Sequence, residues 1–110
     1  MKAGRRLTLA EVAAKIPTEG IRSVEAHRHG TMLAKLYAPR GTDPQQPHTR
    51  DEAYVVARGG GTFVAGDLRT PFGPGDFLFV PAGMVHRFED FTDDLALWVV
   101  FYGPEGGEKA

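Results

Sequence analysis

The chain has 110 residues, of which 42% are hydrophobic and 25% are charged. This length and composition predict one folded domain, and no apolar run approaches the roughly 20 residues that a membrane-spanning helix needs. The formal net charge is -1, and the arginines and lysines are scattered along the chain instead of forming a basic patch. We therefore expect neither nucleic acid nor a membrane as a partner.

Cysteine is absent from the chain. Disulfides and thiolate ligands are therefore excluded, and any metal ion must be bound by imidazole, carboxylate or amide groups. The first residues lack the sustained apolar segment of a secretory signal peptide. We therefore expect a cytoplasmic protein.

The first 20 residues contain the clearest helix signal. Thr8, followed three residues later by Glu11, matches a capping box. Apolar side chains then recur at helical spacing, at Leu9, Val12, Ala13 and Ile16. Pro17 ends this pattern. Residues 1–20 are thus predicted to form a helical segment that packs on the outside of the main domain.

From residue 21 onward the apolar pattern changes to that of strands. Residues 31–38 alternate with a period of two and end at Pro39. Further short runs, separated by glycine-rich or acidic turns, cover residues 53–57, 62–65, 77–80 and 95–102. Many short strands with such turns are typical of a sandwich or closed barrel. We predict an all-β barrel over residues 21–103 and a flexible tail over residues 104–110.

Candidate metal ligands lie beside turns at the predicted strand starts. In an extended chain Gln46, His48 and Glu52 share parity, so their side chains leave the same face. His86 begins a further strand after a proline-glycine corner. Two imidazoles and one carboxylate form a ligand set that leaves positions open for substrate, water or O₂.

Two ordered motifs in this region resemble those of the cupin superfamily. The second motif of that family, G-x5-P-x-G-x2-H-x3-N, is matched by Gly75, Pro81, Gly83 and His86, with Asp90 at the asparagine position. This match covers the turn before the predicted strand at residue 86.

The first motif of the family, G-x5-H-x-H-x3,4-E-x6-G, is matched by His48, Glu52 and Gly59. Gln46 stands where the family has its first histidine. The resemblance implies a jelly-roll β-barrel and a homodimer. It also implies one divalent metal ion (Fe, Mn, Zn or Ni) bound by His48, Glu52 and His86, with Gln46 as a possible fourth ligand.

Three other residues are candidates for a role at the site. Tyr54 continues the face of Glu52 and is a candidate catalytic proton donor, with a core aromatic as the alternative. His27 and His29 share strand parity, so they are candidates for substrate binding; the alternative is a solvent-exposed strand face.

These features predict a metal-dependent enzyme, of a dioxygenase or isomerase type, that acts on a small organic molecule. The alternative is a non-catalytic module that binds or senses a small molecule. Cupin-like barrels support many chemistries, so the fold leaves both open.

Overall fold

Over residues 3–109, eight antiparallel strands and one short helix make up the fold. The computed structural model describes residues 3–109. The elements are α1 (Leu9–Ala13), β1 (Ser23–His29), β2 (Met32–Tyr37), β3 (Asp51–Arg58), β4 (Gly61–Ala65), β5 (Leu68–Phe72), β6 (Phe77–Val80), β7 (His86–Glu89) and β8 (Ala96–Tyr102). Strands β1, β2, β8, β3 and β6 form a five-stranded sheet in this order, and β5, β4 and β7 form a three-stranded sheet. The predicted all-β architecture with a short N-terminal helix is confirmed.

The main core lies between the two sheets because each strand buries alternate side chains. On β3, for example, Tyr54 and Val56 are buried whereas Val55 is exposed. Phe63 from β4 and Phe88 from β7 pack against them from the opposite sheet. The sheets are therefore joined by an apolar and largely aromatic layer.

Most predicted strands are present, but β5 was missed. Its sequence contains Pro71, which cannot donate a ladder hydrogen bond and which argues against a strand within a sheet. The structure places β5 at the edge of the three-stranded sheet, where Pro71 lies opposite Thr62. At an edge, a missing amide is tolerated.

The N-terminal helix has the predicted capping box. The Glu11 amide donates to Thr8 Oγ1 over 3.1 Å, and the Thr8 amide donates to a Glu11 carboxylate oxygen over 2.6 Å. The helix itself ends at Ala13, and its buried Val12 packs with Leu36 on the outer face of the five-stranded sheet. No helix within residues 3–109 is long and apolar enough to cross a membrane. The cytoplasmic location stays a prediction.

The C-terminal segment contacts the barrel within residues 104–109, and the flexibility predicted for residues 104–110 stays a prediction. The amides of Gly106 and Glu108 donate to the Thr49 carbonyl and the Asp51 carboxylate over 2.7 and 2.8 Å. The Asp51 carboxylate also accepts a hydrogen bond from the Ala82 amide. The bond from Glu108, which has the larger effect, and the bond from Ala82 hold the pKa of this carboxyl below its usual range. The glycine-rich segment that contains Gly106 and Glu108 therefore lies against the barrel.

Candidate metal centre

The three predicted ligands come from both sheets. Glu52 lies on β3 of the five-stranded sheet, His86 begins β7 of the three-stranded sheet, and His48 lies in the loop before β3. The amide of Gly83 donates to the His48 carbonyl over 2.7 Å, which joins this loop to the turn before β7. The segment from His48 to Glu52 and the segment from Gly83 to His86 therefore meet at one point, although Glu52 and Gly83 are 31 positions apart in sequence.

The distances between these ligands fit a single ion. One nitrogen or oxygen atom from each of His48, Glu52 and His86 lies within 4.8 Å of the other two. His86 Nε2 is 3.3 Å from Glu52 Oε2, and His48 Nε2 is 3.8 Å from Glu52 Oε1. Ligand atoms at bond lengths of about 2.1 Å are about 3.0–3.4 Å apart in octahedral or tetrahedral geometry. The distance between His86 and Glu52 lies in this range, and the distance between His48 and Glu52 exceeds it by about 0.4 Å.

Hydrogen bonds orient the side chains of His86 and Gln45, so that each directs a lone pair toward the centre. His86 Nδ1 is 3.0 Å from the Met84 carbonyl, which can only accept, so Nδ1 carries a proton and, in the neutral ring, Nε2 has the free lone pair. Gln45 Nε2 donates to Asp43 Oδ2 over 2.8 Å, so Gln45 Oε1 faces the centre, 3.3 Å from His86 Nε2. Both groups present acceptors.

When Glu52 is ionised and the His86 ring is neutral, the centre has more acceptors than donors. The Tyr54 hydroxyl lies 2.7 Å from Glu52 Oε1, 3.0 Å from Gln45 Oε1 and 3.2 Å from His86 Nε2. One hydroxyl hydrogen cannot satisfy three acceptors. A bound cation would supply the missing positive charge, so the residues present fit a metal ion on chemical grounds as well as on distance.

Burial sets the protonation states of this cluster. It raises the pKa of Glu52 to about 7, against the smaller lowering effect of the Tyr54 hydrogen bond. Burial and the nearby Glu52 charge raise the pKa of Tyr54 well above its usual range, so its hydroxyl keeps its proton. Burial, followed by the effect of His86, lowers the pKa of His48. At neutral pH His48 is therefore in the form that binds metal.

Gln45, and not Gln46, contacts the predicted ligands. The prediction assumed an extended chain from residue 46 to residue 52, but β3 begins only at Asp51, after a bend at Thr49. The side chain of Gln46 is exposed, whereas that of Gln45 is partly buried against His86. Gln45, and not Gln46, therefore occupies the position beside the candidate ligands, and ligation of a metal by either glutamine stays a prediction. Neither Gln45 nor Asp43 was identified from the sequence, because neither belongs to a recognised motif position.

His27 and His29 are not brought to the centre. The β1–β2 register shifts between Glu25 and His27, so a bulge precedes both histidines, and the face that they share is opposite to that of Glu25. His27 lies opposite Ala34 on the outer face, where its Nδ1 is 2.9 Å from an Arg5 nitrogen. His29 is exposed. Neither histidine therefore contributes to the metal centre, and their contact with a substrate stays a prediction.

A cavity of about 320 Å³ leads to the centre. His48 lies in its wall together with Ile21, Lys35, Tyr37, Val99 and Phe101. Tyr54 is fully buried and bonded to Glu52, outside the set of residues that line the cavity. Its contacts indicate that it positions the ligands, and its role as a proton donor stays a prediction.

The family model described as "Cupin domain" matches residues 35–102, a span that contains all three candidate ligands. The chain belongs to the cupin family. It is 39% identical over 80 residues to an uncharacterized protein of Streptomyces coelicolor, covering 71% of this chain and 76% of that protein.

Solved cupin structures share the fold of this cupin. A cupin 2 conserved barrel domain protein from Salinispora arenicola aligns with a TM-score of 0.69 at 19% identity, over 93% of this chain and 91% of that chain. A cupin superfamily protein from Desulfitobacterium hafniense aligns with a TM-score of 0.68 at 16% identity, over 94% and 95% of the two chains. The predicted membership of the cupin superfamily is confirmed.

The contacts of the two neighbouring glutamines predict different effects on metal binding. Gln45→Ala should weaken Mn²⁺ binding by about 10–100-fold, because it removes an acceptor beside His86 and an anchor of the loop. Gln46→Ala, the matched control, should leave the affinity unchanged. Isothermal titration calorimetry measures both, and equal effects of the two substitutions would contradict the assignment of Gln45.

The raised pKa of Glu52 predicts that metal binding releases a proton. At pH 6 this carboxyl is mostly protonated and must ionise to bind metal, so close to one proton should be released there and much less at pH 8. The metal-free fold gains stability from the raised pKa below about pH 4.5 and loses it as the pH rises through about 7. Calorimetry in buffers of different ionisation enthalpy counts the protons, and a release that is independent of pH would refute this prediction.

Proposed function

We propose that this cupin is a metal-dependent enzyme that acts on a small organic molecule, with one divalent ion bound by His48, Glu52 and His86. The observation that carries the proposal is the acceptor-rich centre, which opens through His48 into a cavity of about 320 Å³. This volume is at the lower end of the range for small-molecule sites. The proposed chemistry is oxygenase-like or isomerase-like.

The ligand set favours Mn or Fe(II) over Zn or Ni. Glu52 contributes a carboxylate and Gln45 an amide oxygen beside the two imidazoles, and such oxygen-containing sets suit harder ions. A bound ion of this kind supplies Lewis acidity toward an oxygen-bearing substrate and, as Fe(II), reactivity with O₂.

The protein side chains supply orientation and exclude water. Tyr54 holds the carboxylate of Glu52, and Phe101 packs edge-on against the His48 ring with a centroid distance of 5.0 Å. Val99 and Ile21 add apolar wall to the cavity. A substrate in this cavity therefore meets the centre from the side of His48, away from bulk water.

A non-catalytic module that binds or senses a small molecule is the second candidate. The observation that favours it is the burial of Tyr54, whose hydroxyl is committed to Glu52 and Gln45. A cavity without a free proton-transfer group is suited to binding without turnover.

Metal content tests the centre directly. Protein purified without a nickel column should contain close to one transition-metal ion per chain by elemental analysis. His86→Ala should remove the ion while the barrel stays folded, and His29→Ala, at an exposed histidine, should retain it. A folded wild-type protein that contains no metal and cannot be loaded would overturn the proposal.

Turnover separates the enzyme from the binding module. The Fe(II)- or Mn(II)-loaded protein, incubated with a small-molecule extract in air, should deplete one compound and form a product that mass spectrometry detects. His86→Ala should do neither. Retention of a compound without its conversion would support the binding module instead.

We also propose that two copies associate through the free edge of β6. This strand ends the five-stranded sheet, and Phe77 and Phe79 on it are 66% and 45% exposed beside the exposed Val55 of β3. Unpaired strand edges with apolar side chains favour association with a partner. α1 covers the part of the same outer face that is formed by β2 and β8. The part formed by β6 and the neighbouring Val55 is therefore the one available to a second copy.

The dimer can be tested by sedimentation velocity. Phe77→Ser with Phe79→Ser should convert a dimer into a folded monomer, whereas Leu68→Ser, at an exposed position of β5, should leave the dimer intact. A wild-type protein that sediments as a monomer at high concentration would contradict the proposed interface.

A further inference from the structure

Lys35 introduces a positive charge into the wall of the cavity. It lies on β2 opposite Val99 of β8, and its side chain is partly buried. Its neighbour across the strand pair, Glu25, is bound to Arg28 at 2.8 Å. Within residues 3–109, none of the ion pairs includes Lys35. The ammonium is therefore available to a ligand.

The remainder of the cavity wall is mainly apolar. Phe101 and Val99 line it from β8, and Ile21 lines it from the chain before β1. A partly buried ammonium in such surroundings loses solvation, and an anionic ligand offsets that loss through a charge-assisted hydrogen bond. Apolar surface beside a single cation is complementary to an organic anion with an apolar body.

We propose that this cavity binds a small organic carboxylate, with the carboxylate on Lys35 and the apolar body on Phe101 and Val99. A single lysine suits one negative charge, because it offers neither the fork of an arginine nor a cluster of donors for a phosphate dianion. The far end of the ligand then lies toward His48. That this ligand is the substrate of the metal centre rests on the proposed function, whereas its binding by Lys35 does not.

Phenylacetate and its neutral isostere phenylacetamide are suitable probes, because they differ in charge and hardly in shape. Phenylacetate should bind at least about tenfold more tightly, which corresponds to about 1.4 kcal/mol, in both the metal-loaded and the metal-free protein. Titration calorimetry or chemical-shift titration measures the two affinities. The metal-free measurement excludes a carboxylate that is bound by the ion instead.

Substitutions of Lys35 locate the charge that is responsible. Lys35→Met should abolish the preference for phenylacetate over the amide, and Lys35→Arg should retain most of it. Lys15→Met, at an exposed lysine beyond α1, is the matched control and should change nothing. Metal affinity should persist in all three variants because none removes a ligand.

Each of the following results would overturn this inference. They are equal binding of the acid and the amide, a preference that survives Lys35→Met, and failure of phenylacetate to bind the wild-type protein at about 10 mM. A preference seen only with metal present would place the carboxylate on the ion and equally reject Lys35. A wild-type protein that contains no metal and cannot be loaded would, in contrast, reject the proposed function, but the comparison of phenylacetate with phenylacetamide in the metal-free protein would stay valid.

Discussion

The buried carboxylate of Glu52 is the constraint on which the site depends. Its side chain is 1% exposed, on a central strand whose neighbours β8 and β6 pair with it on both sides. A carboxylate in such a place needs donors or a cation to offset the cost of burial. Tyr54 provides one hydrogen bond, while the nearest atoms of His86 and Gln45 are further acceptors. The protein therefore keeps a proton there, or a metal ion replaces it.

A second carboxylate, Asp43, fixes the surroundings of the first. It accepts hydrogen bonds from the Phe88 amide of β7, from the side chain of Gln45 and from the Tyr37 hydroxyl of β2. One residue thus joins the loop before β3 to both sheets and sets the orientation of the Gln45 amide. Because this orientation determines which atom faces His86, the number of acceptors at the centre depends on a residue outside the family motifs.

The sequence predicted what depends on regular strands and missed what depends on irregular backbone. Glu52 and Tyr54 were placed on one face because β3 is regular between them, and their contact is observed. Gln46 was misplaced because the chain before β3 is bent. The face on which His27 and His29 lie was left open, because it depends on a bulge that no alternation pattern reveals. The binding of the C-terminal segment was missed because its partner, Asp51, lies far away in sequence.

The charges of the centre and the cavity act in the same direction. A divalent ion bound beside one ionised carboxylate, Glu52, leaves a net positive charge at the inner end of the cavity, and Lys35 adds another in its wall. Asp43 offsets part of this positive charge, because its carboxylate keeps its negative charge when neutral donors bind its oxygens, and that charge acts on both His48 and Glu52. In a partly apolar cavity such charges act with little screening. An anion is therefore attracted mainly at Lys35, and a neutral molecule of the same shape gains only the apolar contacts.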